Sequence, residues 1–300
     1  MSIAVETTLT CSTVRIETPE TGATGTGFFY RIHFGNNIAK QYIATNRHVV
    51  KGATFIDYVL TTASDVSQTS DSGAFVDETH HLLRTSLGKY VDFSVPISMD
   101  ILIPHPDPDP DVDLVLIDVT IPIGIYLASR KLRIASLDRS WLPKKGDRAL
   151  RSIEPLKIIG YPIGMWDEHN NMPIARSGST ATHPLASFNG DRNFLVDGAV
   201  FAGSSGSPVF GYESPMYLIP NGGFTPGTKA VLLGILWGVM EADTLGEMVI
   251  DQIPAAKRRS PQLKTSLHLG VALHADRLLE IEEFISPGVT SESGTNTNRA

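Results

Sequence analysis

Apolar residues along this chain come in short bursts cut by Gly, Pro, Asn and Asp. In the first half the bursts are Gly27-Phe28-Phe29-Tyr30-Arg31-Ile32, Tyr42-Ile43-Ala44-Thr45, Thr54 to Leu60 and Leu114-Val115-Leu116-Ile117. A second set follows at Leu156 to Ile159, Asn193 to Val196, Val231 to Val239 and His268 to Leu273. Short runs of this kind, bracketed by turn formers, read as strands and argue for an all-β sandwich or barrel. One segment, Ala275 to Ile285, has helical spacing instead, with Leu278, Leu279, Ile281, Phe284 and Ile285 on one stripe and Pro287 as its stop. Thr61 to Gly73 is Ser-, Thr- and Asp-rich with little to bury, which predicts a surface loop. The stretch Leu127 to Gly146 is more basic and carries Pro143 and Gly146, the composition of a connection between two β halves. The expected organisation is a β half over 1–130, a linker over 131–146, a second β half with its helix over 147–286 and a disordered tail over 287–300. No repeat of 20–50 residues is visible.

Composition narrows the class. The chain has 300 residues, 42% apolar and 19% charged, enough to build a sizeable core and too apolar for a disordered chain. Its net charge is −7, and its basic clusters, such as Lys144-Lys145 and Lys257-Arg258-Arg259, are short, so no nucleic-acid partner is expected. Cys11 is the one cysteine and cannot form an internal disulfide. The start, Met1-Ser2-Ile3-Ala4-Val5, lacks a basic region followed by an apolar core. The longest apolar run, Ala230 to Met240, falls short of the ~20 residues a bilayer span needs. The expectation is a cytoplasmic protein with no membrane partner.

Three segments carry candidate chemistry: Ala44-Thr45-Asn46-Arg47-His48-Val49-Val50, Asp111-Val112-Asp113-Leu114-Val115, and Gly203-Ser204-Ser205-Gly206-Ser207-Pro208. A serine hydroxyl is a weak nucleophile and needs an adjacent base. It also needs donors aimed where negative charge develops on the substrate oxygen. Glycine before the serine lets successive N–H groups turn into one hollow, which makes Gly203 and Ser205 the candidate oxyanion hole. Gly206 is expected to let substrate backbone approach. The turn is not the G-x-S-x-G elbow, and the order His, Asp, Ser differs from the α/β-hydrolase order. His48 is the candidate base, since imidazole changes charge in the physiological range. Asp113, at the mouth of an apolar strand, would hold the imidazole's tautomer. Asp107, Asp109 and Asp111 alternate with prolines in a stiff, solvated stretch. Asp118 lies an odd number of residues further along the strand and points to the other face. His80-His81 point to opposite sides, and no Cys/His set suggests zinc, so neither metal nor cofactor is expected.

With these segments in order, the chain resembles the trypsin-like, chymotrypsin-fold serine peptidases, with Thr45-Asn46-Arg47-His48-Val49-Val50 most like the HtrA/Deg branch. Gly25-Thr26-Gly27-Phe28, Gly160-Tyr161-Pro162, Asp197 to Ser205 and Leu236-Trp237-Gly238 extend the resemblance over Gly25 to Phe284. It implies two antiparallel six-stranded β-barrels with the site between them. His48 and Asp113 would come from the first barrel and Ser205 from the second. It implies serine endopeptidase activity on a polypeptide substrate, whose backbone would pair with Leu236-Trp237-Gly238. Ala199 matches the base of the primary specificity pocket and implies an apolar or small residue before the scissile bond, though Glu241 and Asp243 stand close in sequence. Ser204 stands where the digestive enzymes carry an aspartate that binds a freshly cut N-terminus. Two further expectations stand beside an active enzyme: a peptide-binding module on the same fold, and an effector restrained until a regulatory protein partner orders the site.

Overall fold

The computed structural model describes residues 5–35, 38–61, 90–98, 100–109, 112–129, 134–144, 150–201, 203–219, 222–242, 248–252 and 265–287. Two antiparallel sheets carry the fold. The first contains β1 (Thr13–Thr18), β2 (Ala23–His33), β3 (Ala39–Thr45), β4 (Phe55–Thr61), β5 (Tyr90–Pro96), β6 (Leu102–Pro104) and β7 (Val115–Asp118). Their spatial order is β5-β4-β1-β2-β3-β7-β6.

The second sheet contains β8 (Pro155–Gly160), β9 (Ile174–Thr180), β10 (Asn193–Asp197) and β11 (Pro208–Glu213). After a separate hairpin of β12 (Met216–Ile219) and β13 (Gly223–Pro226), it continues with β14 (Lys229–Ala242), β15 (Met248–Gln252) and β16 (Thr265–His274). The order is β11-β8-β9-β10-β16-β14-β15, and an additional β11–β14 ladder closes six of these strands into a barrel. All eight predicted strand runs fall in this set.

The all-β architecture with a terminal helix is therefore as expected, and the second half is a closed six-stranded barrel. The first is a seven-stranded half-barrel: among the described residues no ladder joins its edge strands β5 and β6. Both edges carry proline, Pro96 closing β5 and Pro104 closing β6, and proline has no N–H to give a neighbour.

The register explains why several strands are continuously apolar rather than alternating. Phe29 of β2 faces Ile43 of β3, which faces Ile117 of β7, and these residues join Val14, Ile16 and Ile56 in the core of the first sheet. The alternate residues Phe28, Tyr30, Tyr42, Ala44 and Leu116 point the other way. They pack with Phe210, Leu232, Ile235 and Leu273 of the second half. Both faces of β2 and β3 are thus buried, one in a barrel and one between barrels. Leu156, Ile158, Phe194, Val196, Val209 and Leu236 fill the second barrel.

Among the described residues four helices surround the sheets: α1 (Val5–Ser12), the single turn α2 (Arg47–Val50), α3 (Thr120–Ser129) and α4 (Arg277–Ile285). The last lies inside the predicted Ala275 to Ile285. Leu278 and Ile281 are buried as expected, but Phe284 points to solvent. Buried Glu282 accepts a hydrogen bond from Tyr30 Oη at 2.5 Å, tying the helix to β2. The other helices have no amphipathic signature. In α3, Thr-Ile-Pro-Ile-Gly-Ile-Tyr-Leu-Ala-Ser has no polar face, so nothing marks a 3.6-residue period. Downstream, residues 134–144 are irregular except for a 3-10 turn over Arg139–Trp141, and Leu137 is strapped to β2 by bonds to Phe29 and Arg31. Thr61 ends β4. The rest of the predicted surface loop, like the tail from Gly288, lies outside the described residues. Among the described residues no helix is long and apolar enough to cross a membrane.

Candidate active site

His48 sits in α2, the single turn that ends β3, and its position is set from both sides. Asn46 is fully buried, and its side-chain amide donates to the Asp113 carbonyl at 2.7 Å. Asp113, 1% exposed, leads into β7, which pairs with β3. Its Oδ1 accepts the His48 backbone N–H at 2.9 Å, and its Oδ2 contacts His48 Nδ1. A buried carboxylate is costly unless hydrogen-bonded, and this one is held by the residue it orients. The other imidazole nitrogen, Nε2, lies 2.8 Å from Ser205 Oγ. Residues 157 positions apart in sequence thus meet across the two halves.

The serine turn is built by glycine. The Ser204 N–H donates to the Phe201 carbonyl at 3.0 Å, closing a turn with Gly203 at its third position and φ +81°. Glycine adopts this left-handed conformation without steric cost. A Cβ on Gly203 would also lie 2.6 Å from the Tyr161 carbonyl. Gly206, φ +82°, has a different role from the expected one. A Cβ there would lie 1.9 Å from the Thr26 carbonyl, so its bareness admits the first sheet, not a substrate.

The remaining candidates are placed as follows. Ala199 is exposed, and its carbonyl accepts from the Arg176 guanidinium. Leu236 donates its N–H to Ser207 at 2.9 Å and accepts from Gly206 at 2.8 Å. Trp237 is buried at a register shift in the β14–β16 ladder. Gly238 pairs with Val271 on one side and Gln252 of β15 on the other. The outer edge of β14 is therefore covered by β11 up to Ile235 and by β15 from Gly238.

Two of the competing aspartates are engaged elsewhere. Asp107 binds Arg277 at 3.0 Å, and Asp118 binds Lys40 at 3.2 Å. Asp109 donates its backbone N–H to Asp107, while Asp111, His80-His81 and Asp243 lie outside the described residues. Glu241 is on β14, opposite Val249 of β15. Among the described residues no His, Cys, Asp and Glu group could hold a metal ion.

Two residues of the site were not singled out by sequence. Thr26, fully buried, is the hub between the halves. Its N–H donates to the Ser205 carbonyl at 2.8 Å, and its carbonyl accepts from Thr45 Oγ1 at 2.7 Å. Its Oγ1 donates to the Gly203 carbonyl at 3.0 Å and accepts from the Tyr161 N–H at 3.1 Å. The signal was a threonine between two glycines that have no room for a side chain: a Cβ on Gly25 or Gly27 would lie 2.6 Å from Val49 or 2.5 Å from Ile43. The second residue is Arg176 of β9, which carries no motif.

Residues 25–214 match the family described as the trypsin-like peptidase domain, and the chain belongs to that family. No curated protein matches it significantly. Several solved structures are similar. An inactive form of Rv3671c protease is 15% identical, with 94% of this chain and 92% of that one covered and a TM-score of 0.40. The HtrA-type protease AlgW with a tripeptide is 16% identical, with 92% and 60% covered and a TM-score of 0.45. The MamO protease domain from Magnetospirillum magneticum is 12% identical, with 91% and 96% covered and a TM-score of 0.42.

Proposed function

We propose that the chain is a serine endopeptidase cleaving polypeptides through an acyl-enzyme. The observation that carries this reading is the continuous hydrogen-bonded line Asp113–His48–Ser205 across the interface of the two halves. In this scheme His48 Nε2 takes the proton of Ser205 Oγ as the oxygen attacks the substrate carbonyl. Asp113 fixes the Nδ1–H tautomer and stabilises the imidazolium without itself taking the proton. The N–H groups of Gly203 and Ser205 bind the tetrahedral oxyanion. His48 then protonates the leaving amine, and water attacks the acyl-Ser205 ester with His48 again as base. Ala199 places an apolar or small residue before the cut, and substrate backbone aligns along Leu236-Trp237-Gly238.

A fluorophosphonate probe tests the nucleophile directly. The unsubstituted protein should label and Ser205→Ala should not, with kcat on a peptide substrate falling at least about 10³-fold. Equal labelling of both would remove Ser205 from the mechanism.

A restrained form of the same enzyme is favoured by one observation: β15 already covers the edge of β14 from Gly238 onward. Substrate then has Trp237 as its pairing residue until β15 yields, and a regulatory protein partner that engages β15 would control access.

A further inference from the structure

We propose that Arg176 is a positioning residue that clamps the turn carrying the oxyanion donors, as a half-buried cation on β9. The inference rests on the endopeptidase reading and concerns the same site.

One planar guanidinium spans both ends of this loop. Its Nη1 donates to the Ala199 carbonyl and its Nη2 to Ser204 Oγ at 2.8 Å. Between these anchors lies the segment that includes Gly203, and the guanidinium carbon sits 5.9 Å from the Phe201 ring. Ser204 is fully buried and stands between the two amides assigned to the oxyanion. The direction of the Gly203 N–H depends on the peptide preceding Gly203. A turn of this length can close with that peptide in either of two orientations, and a positive φ at its third residue selects one. Fixing Ser204 and Ala199 holds the frame in which that orientation is retained.

The electrostatics of Arg176 differ from those of three other arginines. Arg151, Arg192 and Arg277 are each paired with carboxylates. Among the described residues no carboxylate pairs with Arg176, its Nε is buried without a hydrogen-bond partner, and burial pushes its pKa down. Arginine is rarely taken from water without a counter-charge, because the desolvation cost is not returned. Here a carbonyl and a hydroxyl are its bonded acceptors, both in the loop beside Ser205. The guanidinium offers two donors in a fork of fixed geometry, one for each acceptor, whereas a lysine ammonium donates from a single point on a flexible stem.

The test compares Arg176→Gln, Arg176→Lys and Ser204→Asp, alone and combined, in the full chain. In Arg176→Gln, kcat should fall about 10²-fold with KM within about threefold, the pattern of a lost transition-state interaction. Affinity for a peptide boronic acid, which forms a tetrahedral adduct, should fall by a similar factor. Added methylguanidinium should restore part of kcat. Ser204→Asp should be tolerated with Arg176 present and abolish activity in the Arg176→Gln background, where its carboxylate is buried alone. If Arg176→Gln does not fold, Ser204→Ala removes one acceptor and should lower kcat roughly five-fold at unchanged KM. An unchanged kcat in folded Arg176→Gln or in Ser204→Ala overturns the inference. So does a loss that methylguanidinium does not restore while Ser204→Asp behaves alike in both backgrounds. Failure of the unsubstituted protein to label with fluorophosphonate removes the endopeptidase reading and this inference with it. Normal labelling with an unchanged Arg176→Gln removes this inference alone.

Discussion

At Thr26 a single side chain connects the two halves of the molecule to the serine turn. Thr26→Val keeps the shape and deletes Oγ1, leaving the Tyr161 N–H and the Gly203 carbonyl without this partner. The expected cost is about 1–3 kcal/mol in urea denaturation, with a fall in kcat as the turn loosens. A change under about 0.5 kcal/mol would show that the hub carries no stability. Two glycines allow conformation and space to be separated. Gly206 and Gly52 have φ near +82° and +78°, but a Cβ meets the Thr26 carbonyl at 1.9 Å in the first and nothing within 4 Å in the second. Gly52→Ala should therefore cost about 1–2 kcal/mol, the price of the left-handed backbone alone. Gly206→Ala should cost more than about 3 kcal/mol, because the halves must separate. Equal losses would mean that the close approach is not required. Ile163, φ +55° and exposed, is a β-branched residue in the same unfavourable region, one residue before Gly164.

Among the elements, β14 decides what can reach the site. It is paired with β16 along one side and shared between β11 and β15 on the other. Proline at Asp251, which faces Val239, removes a backbone donor and dislodges β15 from this edge. If β15 restrains substrate pairing, Asp251→Pro should raise kcat/KM on an extended peptide several-fold with little effect on a small ester substrate. Identical values for both substrates would place β15 outside the substrate path. β2 and β3 illustrate a different constraint: with both faces buried, neither tolerates the alternation that marks a half-exposed strand.

The molecule as a whole is closed by α4, and histidines sit at that seam. His105, 6% exposed, contacts the Arg277 carbonyl at 3.2 Å and Glu280 at 3.3 Å. Asp107 and the Arg277 cation also act on it. His274 packs against Phe194, with Asp276, Arg192 and Arg277 around it. Burial lowers the pKa of both from the ordinary 6.5. The native state therefore resists protons that the unfolded chain accepts. Their contribution to stability is fully present above about pH 6.5 and is lost as pH falls from there towards the native values, by at most about 1.4 kcal/mol per pH unit for each group. Urea midpoints should decline between pH 7 and 5, and His105→Gln with His274→Gln should flatten the decline. A decline of equal slope in the double variant would assign it to other groups.

The strand runs, the terminal helix, the glycine turn and the order His48, Asp113, Ser205 were legible along the chain. Each is written within a few neighbouring residues: β-branched runs need bracketing turns, a helix needs a stripe, and a tight turn needs a residue free to adopt positive φ. Helix α3 was not legible, because uniform apolarity has no phase. Thr26 joined to Gly203, Arg176 under Ser204, β15 along β14 and the use of Gly206 as a contact between halves came only with the docked sheets. These contacts link residues far apart in sequence, and which of them meet depends on the angle and register at which two curved sheets pack. Local residue preferences carry no information about that angle. Burial then assigns each polar group a partner that its own neighbours in the chain could not supply.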